Sequence, residues 1–167
     1  PPVRVTASDS GSSLPTLRWN GTHYGLIWNE NMRGEPGTPG LGASRQMFAL
    51  LAPDGGKVRG DVPLPTPFGG WINNNVKWAF DWDGSYWGLF VTDWTATPPF
   101  SRVIYLRLDE DGDTVLGPVP ITAPVDRWEN DVAAAFSLSE SLYGVAWERF
   151  ENTMLAYIDC PATNMWW

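Results

Sequence analysis

Phe80-Asp81-Trp82-Asp83-Gly84-Ser85-Tyr86-Trp87-Gly88-Leu89-Phe90-Val91 decides the fold, because the same pattern stands three times in the chain. An earlier copy is Leu17-Arg18-Trp19-Asn20-Gly21-Thr22-His23-Tyr24-Gly25-Leu26-Ile27-Trp28. A later one is Phe136-Ser137-Leu138-Ser139-Glu140-Ser141-Leu142-Tyr143-Gly144-Val145-Ala146-Trp147. Gly25, Gly88 and Gly144 fall in register, each after an aromatic and before an aliphatic, at offsets of 63 and 56 residues. A second segment recurs independently: Phe48 to Val62 with Asp54-Gly55, and Tyr105 to Val119 with Asp111-Gly112, at an offset of 57. Two unrelated segments repeating at nearly one spacing mark an internal repeat.

Each repeat reads as β. Asn20-Gly21 and Asp83-Gly84 stand between apolar runs and are hairpin turns, since both residue types tolerate positive φ. Asp54-Gly55 and Asp111-Gly112 mark a second hairpin. Gly 17 and Pro 15 interrupt nearly every window long enough for a helix. The first repeat has expected strands Leu14–Trp19, Tyr24–Asn29, Gln46–Leu51 and Val58–Leu64. The second has Val76–Trp82, Trp87–Thr92, Arg102–Leu108 and Val115–Thr122. The third has Val132–Leu138, Tyr143–Glu148 and Met154–Ile158, and its fourth strand is missing unless Asn164–Trp167 forms it.

Val3-Arg4-Val5-Thr6 resembles Val62-Pro63-Leu64-Pro65 and Val119-Pro120-Ile121-Thr122. An N-terminal strand that completes the last repeat removes two exposed sheet edges at once. Pro63, Pro65, Pro118 and Pro120 place the fourth strand at an outer edge, because proline cannot donate to a ladder. Ala133-Ala134-Ala135 suits a crowded inner strand. On the Trp-Asn/Asp-Gly-x-x-aromatic-Gly-aliphatic motif and the Leu-x-x-Asp-Gly turn, the chain resembles the repeats of bacterial extracellular β-propellers. The resemblance implies an all-β fold of propeller blades. It implies one repeat domain over 1–167: a closing strand at 1–6 and repeats at 14–65, 71–122 and 128–167. Three repeats fall short of the usual four to eight blades, so the expectation is a six-bladed ring built from two chains, a homodimer. The alternative is a β-trefoil, which also has three four-stranded repeats.

Composition limits the function. With 43% hydrophobic and 14% aromatic residues the chain can bury a core, which excludes disorder and collagen. The net charge is -8, and Lys57 and Lys77 are the only lysines, so no basic face for nucleic acid is expected. No apolar stretch approaches the roughly 20 residues of a membrane-spanning helix. A single cysteine, Cys160, excludes an internal disulfide, and a single histidine, His23, leaves little material for a triad or a His-rich metal site. The start at Pro1-Pro2 fits a processed chain and a secreted or extracellular location.

Blade connectivity sorts the loops onto two faces. One face carries the tight turns. The other carries the long connections, including the 17 residues from Asn29 to Arg45, and long loops on a rigid scaffold are where binding residues collect. Trp71 stands there with Asn73 and Asn75, and Trp128 with Asn130 and Asp131. Indole stacks on the C–H face of a sugar while amides and carboxylates take its hydroxyls. The competing reading has both tryptophans wedged between blades. Glu30, Asp93, Trp94 and Arg149 end the second strands or follow them, on the same face. These ten residues are the candidate ligand site of a non-catalytic, lectin-like module that takes a carbohydrate or another small polar ligand. A structural or protein-binding propeller is one alternative. A glycoside-processing enzyme using paired carboxylates among Glu30, Asp93, Asp131, Glu148 and Glu151 is another. No catalytic residue and no cofactor are assigned. Asp109, Asp111 and Asp113 alternate around a glycine as calcium ligands do, although a solvated hairpin tip explains them as well.

Overall fold

A computed structural model describes residues 4–6, 11–31, 44–65, 78–93, 101–123, 129–149, 152–159 and 165–166. Among them the chain is all β. The strands are β1 (Ser12–Trp19), β2 (Tyr24–Asn31), β3 (Ser44–Leu51), β4 (Lys57–Pro63), β5 (Trp78–Trp82) and β6 (Trp87–Asp93). They continue as β7 (Arg102–Leu108), β8 (Thr114–Pro120), β9 (Glu129–Ser137), β10 (Leu142–Arg149), β11 (Asn152–Asp159) and β12 (Met165–Trp166). Three antiparallel sheets result, each made only of consecutive strands: β1-β2-β3-β4, β5-β6-β7-β8 and β9-β10-β11-β12. A trefoil would pair strands of different repeats to close a barrel, and the three sheets share no strand. The trefoil alternative is therefore set aside.

The proline-bearing strands β4 and β8 lie at sheet edges, where an absent N–H breaks no ladder. Both join their neighbour with the same irregularity, a register shift after Phe48 in the first sheet and after Tyr105 in the second. The tight turns match the repeat too. The Asn20 side chain accepts the backbone N–H groups of Thr22 and His23 at 2.9 and 2.7 Å. Asp83 does the same for Ser85 and Tyr86 at 2.8 and 2.6 Å. His23 is thereby a turn residue. The closing strand expected at the N-terminus is corrected. Arg4–Thr6 belong to no strand, and the place beside β11 is taken by β12, with Tyr157 opposite Trp166 and Ile158 opposite Met165.

The sheets stack face to face, in chain order. Side chains alternate along each strand, so the middle sheet buries both its faces. Phe80, Leu89, Val91, Ile104 and Leu106 meet Ile27, Phe48 and Leu50 of the first sheet. Ala79, Phe90, Val103 and Tyr105 meet Tyr143, Val145, Trp147, Ala156 and Ile158 of the third. The first strands are neighbours across the stack, β1 against β5 and β5 against β9. Trp78 Nε1 donates to Thr16 Oγ1 at 3.0 Å, and Asp81 Oδ2 accepts the N–H of Phe136 at 3.2 Å.

The repeated glycine explains how closely the sheets approach. A Cβ on Gly25 would stand 2.8 Å from the Trp87 ring, and one on Gly88 2.6 Å from Tyr143 Cζ. Each sheet thus offers a bare backbone to the aromatic that precedes the next sheet's own glycine. Gly88→Ala is expected to destabilise the fold by about 1–3 kcal/mol, because Tyr143 is fully buried and has nowhere to retreat. Urea unfolding measures this. A midpoint unchanged from the parent protein would refute the close approach.

Trp28 and Trp147 are buried at 2% exposure each. Trp82 packs against the core between the first two sheets. Trp19, at the place in the first repeat that matches Trp82, is 44% exposed, and Leu138 at that place in the third is 81% exposed. The reason is positional. Trp82 leans on Trp87, which a neighbouring sheet covers, while Trp19 leans on Tyr24, on the stack's outward side.

Candidate functional site

The two ends of the stack differ in chemistry. At one end the hairpins are short and close on their own side chains. Asp109 Oδ1 accepts the N–H groups of Asp111 and Asp113, at 3.1 and 2.8 Å. Asp113 pairs with Arg59 of the first sheet at 2.6 Å, with Asp111 at 4.0 Å from the same guanidinium. The Asp113 hydrogen bond, with the charges of Asp113, Asp111 and Asp109, holds Arg59 above its ordinary pKa. The three acids considered for calcium are engaged with backbone N–H groups and with Arg59. Among the described residues no group of three or more His, Cys, Asp or Glu side chains is arranged to hold a metal.

At the other end, where β2, β6 and β10 finish and β3, β7 and β11 begin, polar side chains are buried. Asn29, Glu30, Gln46, Thr92, Ser101 and Thr122 are all inside. Gln46 Nε2 donates to Asn29 Oδ1 at 2.9 Å. Arg45 donates to Glu30 Oε2 through Nε at 3.1 Å and Nη2 at 2.8 Å. Thr122 Oγ1 accepts the N–H of Val103 at 2.9 Å. The strand register puts Glu30 opposite Arg45, and it repeats in the second sheet, where Asp93 stands opposite Arg102. In the third sheet the matching pair is Arg149 opposite Asn152, so the charge pattern is not kept.

Several buried polar atoms at this end have no hydrogen-bond partner among the described residues: Gln46 Oε1, Thr92 Oγ1, Trp28 Nε1 and Trp147 Nε1. Burying such a group unpaired costs about 1–3 kcal/mol. Asn20 Nδ2 and Arg107 Nε are similarly placed at the turn end. The first four stand toward the end where β2, β6 and β10 finish.

The sequence-derived candidates distribute as follows. Glu30 is buried and tied to Arg45. Asp131 is exposed and has a left-handed backbone, with φ 46°. Asn130 pairs across the sheet with Glu148, and Arg149 with Glu129. Asp93 closes β6. Trp71, Asn73, Asn75, Trp94 and Trp128 lie outside the described residues, as does Glu151. Reading the sequence missed the Asn29–Gln46 and Glu30–Arg45 pairs. The signal was present, since Asn29-Glu30 precedes the long loop and Arg45-Gln46 follows it. Pairing them required knowing the register across that loop.

No protein-family model, no curated protein and no solved structure matches the chain. Among the described residues no helix is long and apolar enough to cross a membrane.

Proposed function

We propose that the three sheets are propeller blades and that the chain is a non-catalytic binding module. Its ligand is a carbohydrate or a similarly polar small molecule, held at the end with the long connections. The observation that carries this reading is the shell of buried polar side chains at that end, Asn29, Glu30, Gln46 and Thr92 among them. The turn end also buries Asp83 and Arg107, which pair with each other. The neighbouring first strands, β1 with β5 and β5 with β9, agree with inner blade strands around an axis. Glu30, the one buried carboxylate at this end among the described residues, is engaged by Arg45, and no catalytic role is assigned to it. The Trp71 and Trp128 segments then supply stacking surfaces over the rigid shell, a role assigned from sequence.

Titration with a panel of mono- and oligosaccharides, followed by tryptophan fluorescence and calorimetry, tests the proposal. The expected result is a saturable change for at least one sugar class. Trp71→Ala or Trp128→Ala should then weaken binding roughly tenfold or more, the usual effect of removing an aromatic anchor. A flat response across the panel would sink the carbohydrate reading, as would binding indifferent to both substitutions.

A further inference from the structure

We infer that the outward face of the third sheet docks a second copy of this chain, against the outward face of that copy's first sheet, so that two chains complete one ring of six sheets. The inference rests on the blade reading above and not on the nature of the ligand.

The two interfaces inside the chain define the rule. In both interfaces the earlier sheet turns its glycine toward the later one, and the later sheet turns the aromatic before its own glycine toward the earlier. Trp87 lies on Gly25, and Tyr143 lies on Gly88. Among the described residues no sheet precedes the first and none follows the third, so Tyr24 and Gly144 meet no neighbouring sheet there. They stand at opposite ends of the stack and are the two halves of the same contact.

Exposure singles out the third sheet's outward face. The cross-strand pairs that face a following sheet are Ile27 with Phe48 and Phe90 with Tyr105. Their exposures are 0% for Ile27, Phe48 and Phe90 and 2% for Tyr105. The matching pair in the third sheet is Ala146 with Leu155. Leu155 is 55% exposed. Beside it Gly144 pairs with Ala135, and Ala146 with Ala133. This surface is apolar at these positions and carries smaller side chains than the successor-facing surfaces of the other two sheets.

The first sheet carries the complementary face. Tyr24 and Leu26 are half-buried and correspond to Trp87 and Leu89, which are fully buried in the chain's own interface. The deeper residues Trp28, Met47, Ala49 and Leu51 are already buried, with Val5 packed beside them. Leu64 and Ile121, the counterparts of Val5 in sequence, likewise lie within the two existing interfaces. A twofold arrangement uses both faces of both chains and leaves no sheet face open.

Light scattering over a concentration series reads the outcome. The parent protein is expected at twice 18.6 kDa. Leu155→Glu is expected to weaken association roughly 30-fold or more, as loss of a buried anchor does. Its circular dichroism and melting should be those of the monomeric fold, since Leu155 is largely exposed within one chain. Tyr24→Glu tests the opposite face in the same way. A mass of 18.6 kDa at every concentration overturns the inference. So does any other multiple, or a dimer that both substitutions leave intact. None of these results depends on whether a sugar binds, so the ligand reading stands or falls separately.

Discussion

Trp87→Ala is expected to lower the unfolding free energy by about 3–5 kcal/mol, the range for removing a buried tryptophan. A domain of this kind has about 5–15 kcal/mol in total, so the variant should be close to unfolding at ambient temperature. The size follows from how many contacts one side chain makes. Trp87 is fully buried and stacks on Phe80 with ring centroids 5.0 Å apart and planes 18° apart. It also meets Phe48 at 6.1 Å and Trp82 at 4.7 Å. Its Nε1 donates to the carbonyl of Glu110 at 3.1 Å, which ties the second sheet's far hairpin to its second strand. Its six-membered ring fills the place that the missing side chain of Gly25 leaves open. Removing it opens a cavity between two sheets that cannot close without moving both. Urea denaturation with the parent as reference would settle the matter. A loss below about 1 kcal/mol, the scale of a surface change, would mean the first two sheets are not held as described.

The second large effect is expected at Asp83. Asp83→Ala should cost about 3–5 kcal/mol, because it strands a buried guanidinium. Asp83 does two things at once. One carboxylate oxygen closes the hairpin onto Ser85 and Tyr86. The other lies 3.4 Å from Arg107 Nη2, with side-chain exposures of 2% for Asp83 and 10% for Arg107. Arg107 also lies over the Tyr86 ring, with Cζ 3.8 Å from its centroid. Asp83→Asn separates the two roles. It keeps the turn and removes the charge, so its expected cost is about 1.5–3 kcal/mol, that of a hydrogen bond to a charged group. The first repeat contains the neutral version of the same device. Asn20 stands for Asp83, and buried Leu50 stands for Arg107, opposite the repeat's glycine in both sheets. Asp with Arg and Asn with Leu are consistent pairs. Thermal or urea unfolding of the three Asp83 forms orders them as parent, Asn, Ala. An Asn form as unstable as the Ala form would show the charge to be the whole effect, and equality with the parent would show it to be none of it.

Most of the fold was legible because it is repeated and because its turns have specific chemistry. Described strand ends lie within two residues of the expected ones, except that β9 starts three residues earlier, at Glu129. The second sheet's first strand was expected from Val76, and Val76 and Lys77 lie outside the described residues. The edge position of the proline-bearing strands followed from the missing N–H alone. The N-terminal closing strand was read from likeness to the fourth strands. It failed because β12 pairs with β11 in its place, a competition between two short segments that local pattern cannot rank. The candidate site was legible only as a location. Glu30 read as a free acid from sequence. Its partner Arg45 lies 15 residues away across a loop and is brought opposite by register. Trp19 aligns with Trp82, yet alignment says nothing about which end of a stack a residue occupies, and Trp19 is 44% exposed.

The amino-acid pattern by itself determined that the chain is β, that it repeats, where its hairpins turn and which strands form edges. These depend on φ preference, side-chain alternation and proline's missing donor, all of which act within a few residues. Tertiary structure alone decided what the repeated glycine is for, which copy of an aromatic is buried and which carboxylates are neutralised. Those depend on the neighbour that lies across a sheet face, and the same motif meets a further sheet in the middle of the stack but, among the described residues, no sheet at its outward sides.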